Sequence, residues 1–261
     1  MINTWVPVVC MTYTTLLESI RNRVLWVVVA FMVMLVVLAM AAASVSIGEQ
    51  ARLIVDVGMA ITSIVGTVIA ITSAITFMTR DIERRTIYAL LVRPIRRSQL
   101  LLGRYFGLSF VLIFLTAIMF GVTAVTVVVF GGTLPVAYSI GFVTTCIELS
   151  LVLSVSLLFS SFTMPILAVI FSTGMIVGGH LSHDILNFSN RLQEKNVLLY
   201  GLLRIVYYIL PDLQAVNVRI YAANQLPIPD GLLSHQFIYA AGYTICIILL
   251  TCFIFSRRRV L

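Results

Sequence analysis

The sequence predicts an all-α membrane protein with six transmembrane helices, and three observations predict it. Of its 261 residues, 61% are apolar and only 10% charged, against about 25% charged in a soluble domain. The apolar residues gather in six runs near the ~20 residues that a spanning helix needs. These are Val24–Val45, Leu53–Met78, Phe106–Phe130, Ala137–Phe159, Pro165–Leu181 (the shortest) and Phe237–Phe255. The charge is concentrated between runs, with seven arginines in the 25 residues from Arg80 to Arg104.

That arginine loop predicts the topology. Short loops rich in Arg and Lys stay in the cytoplasm, and an even number of spans puts both termini on the same side. Twelve of the 17 Lys and Arg residues then fall inside and five outside. The expectation is a multi-pass protein of the cell inner membrane with both termini cytoplasmic. The basic net charge of +7 lies at membrane edges and not on a separate basic domain, which argues against a nucleic-acid partner. No cleavable signal pattern precedes the first run. Cys10, Cys146, Cys246 and Cys252 fall in helical or apolar segments, so no disulfide framework is expected.

Taken in order, residues 1–23 predict an interfacial helix. Ile2, Trp5, Val9, Tyr13, Leu16 and Ile20 recur at helical spacing, with Thr, Asn and Glu on the other face, ending at Arg21 and Arg23. The second run carries Gly58, Thr62, Gly66, Ala70 and Ala74 at intervals of four, a small-residue stripe for close helix packing. The loop 80–104 predicts a short helix over Asp81–Val92. Asp81 and Glu83 at its start suit the helix dipole, and Pro94 ends it. Ser98 is the expected N-cap of the next helix. A cationic amphipathic helix between two spans is a handle for a cytoplasmic partner. The segment 182–235 is too long for a simple connection. Its apolar middle, Val197–Leu210, is too short to span and ends at Pro211. No internal repeat appears, so 1–261 is expected to form one transmembrane domain.

Four sets of residues are candidates for chemistry. Glu148 stands near the centre of the fourth span, where an ionised acid costs roughly 2.5–3.5 kcal/mol on insertion scales. It is either a substrate or proton site, or a buried carboxyl bonded to a neighbouring Ser or Thr, the plainer alternative inside a bundle. Asp56 near the outer end of the second span is expected to be a solvated end residue. Gly174 and Gly178 form Gly-x-x-x-Gly in the fifth span and are expected to pack a dimer. His180 and His183 have a spacing able to bind a metal, but no cysteine is near and no metal site is read there. No P-loop pattern occurs, and Lys195 is the single lysine. Use of ATP would therefore need another chain.

The loop also carries a pattern: Glu83, Thr86, Leu90, Leu91, Pro94, Arg97, Leu101, Gly103 and Arg104. It resembles the Glu-x-x-x-Thr, Leu-Leu-x-x-Pro-x-x-Arg, Leu-x-Gly-Lys pattern of permeases of the second exporter class of ATP-binding-cassette transporters. Arg85 and Arg104 replace a small residue and a lysine. The Leu210-Pro211-Asp212 … Asn217 stretch is similar to the branch of copper-enzyme-maturation permeases. The resemblance implies a type V exporter fold: an elbow helix over 1–23, a cytoplasmic coupling helix between spans two and three, and short outer helices between spans five and six. It implies that Asp81, Glu83, Arg84, Arg85, Thr86, Ile87, Leu90, Leu91, Arg93, Pro94 and Arg97 couple the chain to two copies of a cytoplasmic ATPase. ATP and Mg would be held there, with no cofactor in this chain. A second permease copy, identical or related, and membrane lipid complete the implied partners. An intramembrane enzyme and a passive channel or scaffold are the alternatives. The spans show no zinc helix, no Ser–His pair at motif spacing and no second carboxylate near Glu148.

Overall fold

The protein, a computed structural model, is described for residues 6–21, 29–31, 33–35, 37–38, 41, 50–83, 97–192, 197–216, 219, 221 and 231–257. Side chains are described for these except 6–7, 19–21, 50, 80–83, 97, 191–192, 197–198, 232 and 257. The described chain is helical and contains no strand. We number the helices α1 (Val6–Arg21), α2 (Gln50–Glu83), α3 (Arg97–Val129), α4 (Val136–Phe162), α5 (Pro165–His180), α6 (Ser182–Leu192), α7 (Val197–Ile209), α8 (Leu213–Val216) and α9 (Leu232–Arg257).

Four described helices are long and apolar enough to cross a membrane: Ala51–Thr79, Ser98–Val129, Val136–Phe162 and Leu233–Ser256. The fifth apolar run is a broken helix. α5 ends at His180, and Pro165–His180 meets Ser182–Asn190 at 59°. At 1.5 Å per residue, the 16 residues of α5 reach about 24 Å, short of the ~30 Å hydrocarbon layer. Most of the first run lies outside the described residues. Its described residues are helical, and Phe31 and Leu35, one turn apart, are buried against Ile61 of α2 and Met119 of α3.

The bundle has two ends. α2 and α3 meet the arginine loop at one, called here the arginine end, where Met78, Leu100, Leu101 and Phe255 pack together. At the far end α3 passes to α4 through a turn in which Gly131 adopts φ 74°, a left-handed conformation glycine enters freely. α4 returns to the arginine end and turns sharply into α5. Thr163 caps α4 through its amide to Phe159 O, 3.0 Å, and Pro165 opens α5 at its first position, where its missing N–H has no role.

α4 is the central helix. Leu151, Val152, Leu153, Ser154, Val155, Ser156 and Leu157 are all buried, surrounded by α2, α3, α5, α8 and α9 in the largest core cluster. The small stripe of α2 packs as its spacing predicts. A Cβ on Gly58 would stand 2.5 Å from Thr123 of α3, and one on Gly66 would stand 2.7 Å from Leu149 of α4.

Two local expectations are corrected. α2 continues unbroken through Glu83, so Asp81 and Glu83 lie at the end of a spanning helix and not in the first turn of a separate one. No Gly or Pro stands between Gly66 and Pro94 to interrupt it. α3 is already helical at Arg97, which puts Ser98 inside the helix and not at its cap.

Candidate functional site

The polar centre of the bundle is built where α2, α4 and α5 converge. The two-residue turn at Thr163–Met164 folds α5 back along α4. Glu148 lies 15 residues before Thr163 and His180 lies 16 after Met164, so the hairpin brings them level. His180 Nε2 stands 3.2 Å from Glu148 Oε1. Ser63 of α2 donates its hydroxyl to the same oxygen at 2.8 Å. The Glu148 side chain is 2% exposed and that of His180 39%.

The hydrogen bonds fix where protons sit. His180 Nδ1 is 3.0 Å from Ile176 O. A carbonyl only accepts, so Nδ1 carries a proton. Between Nε2 and Oε1 one further proton is required, held as imidazolium facing carboxylate or as imidazole facing carboxylic acid. Without it a ring lone pair would face a buried carboxylate. Both ring nitrogens are thus engaged, and His183 lies exposed on α6. Among the described residues no group of three or more metal-ligating side chains forms. The order of the groups also differs from a hydrolytic triad, in which His stands between Ser and the acid. Here the acid stands between Ser and His.

The backbone of the turn between α7 and α8 needs partners outside its own helices. α9 supplies them from one face. Tyr243 donates its hydroxyl to Ile209 O at 2.8 Å, the Asp212 amide donates to Tyr239 Oη at 2.9 Å, and Gln236 donates to Ala215 O. Asp212 caps α8: its Oδ1 accepts from the Ala215 amide at 3.0 Å and from Ser182 Oγ at 2.8 Å. Leu210-Pro211-Asp212 is therefore the seat of α5. A Cβ on Gly179 would lie 2.5 Å from Pro211 O, and one on Gly178 would lie 3.1 Å from Leu210. Gly178 thus packs within the chain and does not face outward. Gly174 is exposed, with nothing within 4 Å of its Cβ position.

Asp56 is partly exposed, as expected of a solvated end residue, and is also paired. Arg219 grips it bidentately, Nε to Oδ1 at 2.6 Å and Nη2 to Oδ2 at 3.1 Å, tying the segment between α8 and α9 to α2. The bond to Asp56 raises the Arg219 pKa further above its ordinary range, so that cation is permanent. Glu148 and Asp56 belong to separate clusters.

Of the residues expected to couple to an ATPase, Arg84, Arg85, Thr86, Ile87, Leu90, Leu91, Arg93 and Pro94 lie outside the described residues, while Asp81, Glu83 and Arg97 are described in backbone only. Arg104, the last residue of the motif, has its side chain mostly buried at the arginine end. It donates to Glu18 Oε2 at 2.9 Å and to Thr15 Oγ1 at 3.0 Å, and its guanidinium lies 5.1 Å from the centre of the Phe77 ring. It fastens α1 to α2 and α3. Gly103 and Gly107 allow this approach, with Cβ positions 2.6 Å from Met11 and 2.7 Å from Thr15. Their Gly-x-x-x-Gly spacing was a legible signal for that contact.

An α1 lying across the base of α3, an arginine loop between two long apolar helices, and a fifth span broken over a buried seat are now all in place. The family model described as ABC-2 family transporter protein matches residues 15–258. The chain belongs to the ABC-2 transporter family. No curated protein matches it significantly. Members of this family are membrane subunits of ATP-binding-cassette transporters that work with an ABC ATPase, in keeping with a chain of long apolar helices. One cleft of about 190 Å³ opens between α3 and α4 beside Tyr105, Ser109 and Cys146. It is smaller than the roughly 300–1,000 Å³ of pockets that enclose drug-sized ligands, so it is not a substrate chamber.

Proposed function

We propose that this chain is the permease subunit of an ABC exporter. It moves a substrate across or out of the membrane, driven by a separate ATPase that binds the loop 80–104. The observation that carries the proposal is that loop: seven arginines between two long apolar helices in a chain whose family match spans residues 15–258. In this reading the arginine end and both termini are cytoplasmic, and α6–α8 lie at the outer face of the inner membrane. Arg84, Arg85 and Arg93 meet acidic surface on the ATPase, while Ile87, Leu90 and Leu91 pack into its cleft. Two permease copies enclose the pathway and two ATPases power it. The exposed apolar face of α5 around Gly174 is the proposed seam, and a twofold axis makes that contact reciprocal. The likeness of Leu210-Pro211-Asp212 to copper-enzyme-maturation permeases supports a position nearest that branch.

Replacing Leu90 and Leu91 together by Asp tests the coupling role. The variant is expected to keep its helical content and thermal midpoint while losing the co-purifying ATPase. Undiminished ATPase stoichiometry would remove that role from the loop.

A further inference from the structure

We infer that Ser63, Glu148 and His180 form a proton-binding site inside the membrane, reached by water from the far end of the bundle along the polar face of α6. The inference rests on geometry within this chain and does not depend on the ATPase.

Three observations carry it. First, the pair is built around one exchangeable proton. His180 Nδ1 is committed to Ile176 O and Ser63 to Glu148 Oε1, so the proton between Nε2 and Oε1 is the one without a competing structural role. Second, burial is asymmetric. Glu148 is enclosed near the middle of α4, while the His180 side chain that faces it is partly exposed, so the shared proton lies next to the accessible member of the pair. Third, α5 stops at His180 and the next helix is amphipathic. His183, Asn187 and Asn190, at spacings of four and three, are exposed with Asp184, and Leu181 and Phe188 flank them. A polar stripe of that kind faces water, not hydrocarbon.

The other ionisable groups around the site are accounted for. Asp56 of α2 is taken by Arg219. Asp212, ahead of α8, is taken by Ser182 and the Ala215 amide. Cys146 of α4 faces the cleft beside α3. His183 and Asp184 lie on the exposed face of α6. Glu148 is the carboxylate that touches His180.

Infrared spectroscopy of the purified full chain in lipid nanodiscs tests this directly. A carbonyl band from a protonated carboxyl should change with pH and should move on transfer to D₂O. Glu148→Gln should abolish it in protein that keeps its helical content. His180→Gln should shift its titration midpoint by about one pH unit or more, the size of a lost charge partner, and this second variant decides the matter if Glu148→Gln fails to fold. A band that ignores pH and D₂O would overturn the proposal. So would a band that persists in Glu148→Gln or titrates unchanged in His180→Gln.

Discussion

Replacing Gly179 by Ala tests whether the Leu210–Asp212 seat holds the broken fifth span. The new Cβ would stand 2.5 Å from Pro211 O. Ordinary contact begins near 3.4 Å, so the carbonyl must retreat by about 0.9 Å, the difference of the two. The obstacle is backbone, and that backbone is pinned on both sides by Tyr243 to Ile209 O and by the Asp212 amide to Tyr239. Overpacking of this kind costs typically 1–3 kcal/mol, and each stretched hydrogen bond adds about 1 kcal/mol. We expect a loss of roughly 2–4 kcal/mol, which at about 2–4 °C per kcal/mol lowers the thermal midpoint by roughly 5–15 °C. Gly174→Ala is the internal control. Nothing lies within 4 Å of its Cβ position, and Ala exceeds Gly as a helix former by about 0.8–1 kcal/mol, so its midpoint should hold or rise. Gly178→Ala, 3.1 Å from the flexible Leu210 methyls, should fall between. The assay is circular dichroism of the purified chain during heating in detergent. If Gly179→Ala melts with Gly174→Ala, Pro211 is not a fixed seat and the packing argument fails.

Three further outcomes follow from named contacts. Arg104→Ala should loosen α1, exposing its residues to protease and lowering stability by about 1–2 kcal/mol through the lost hydrogen bonds and ring contact; Arg104→Lys, which keeps the charge on Glu18, should retain part of that in the same proteolysis and melting measurements. Asp56→Asn and Arg219→Ala should each cost about 1 kcal/mol or less, as both groups are over a third exposed, and a double-mutant cycle of melting midpoints should show the two losses to be non-additive. For topology, a cysteine at Ser98 in a background lacking the native cysteines should be shielded from an impermeant reagent in intact cells, and one at Asn190 labelled; labelling of Ser98 from outside would invert the bundle.

Much of the bundle was legible because membrane helices declare themselves by length and apolarity. The runs at 53–78, 137–159, 165–181 and 237–255 lie within or beside α2, α4, α5 and α9, and the 197–210 run became α7. The stripe from Gly58 to Ala74 was also readable, because small residues at intervals of four let long helices approach closely. Burial was harder to read. An apolar helix looks alike whether it meets lipid or protein, so nothing singled out α4 as the centre. Pairings between distant polar residues were hidden for a different reason: Glu148 and His180 are partners through a hairpin register that depends on the tight Thr163-Met164-Pro165 turn. Arg219 finds Asp56 across 163 residues, which no local pattern encodes. Gly178 shows that a motif has no fixed meaning: the same spacing that suggests a dimer here faces Leu210.

The break in the fifth span explains why the polar residues of the other helices are where they are. A continuous helix satisfies its own backbone, so α3 needs few polar neighbours. α5 stops about 24 Å from its start, where the Leu181 amide turns back to Val177 O and Gly178 O, while the turn between α7 and α8 is met by side chains of α9. Gln236, Tyr239 and Tyr243 fall on one face of α9 for that purpose, and Asp212 turns back to cap α8 and hold Ser182. His180 stands at the break itself, Nε2 on Glu148 and Nδ1 on Ile176 O. The α2–α3–α4 core therefore meets a short, bent element through a few polar pairs as well as through the buried Ala168, Ile176, Leu213 and Val216. Hydrogen bonds are directional and exchange with water, while apolar packing resists deformation in every direction. The Glu148–His180 pair is the directional contact that joins that bent element to α4.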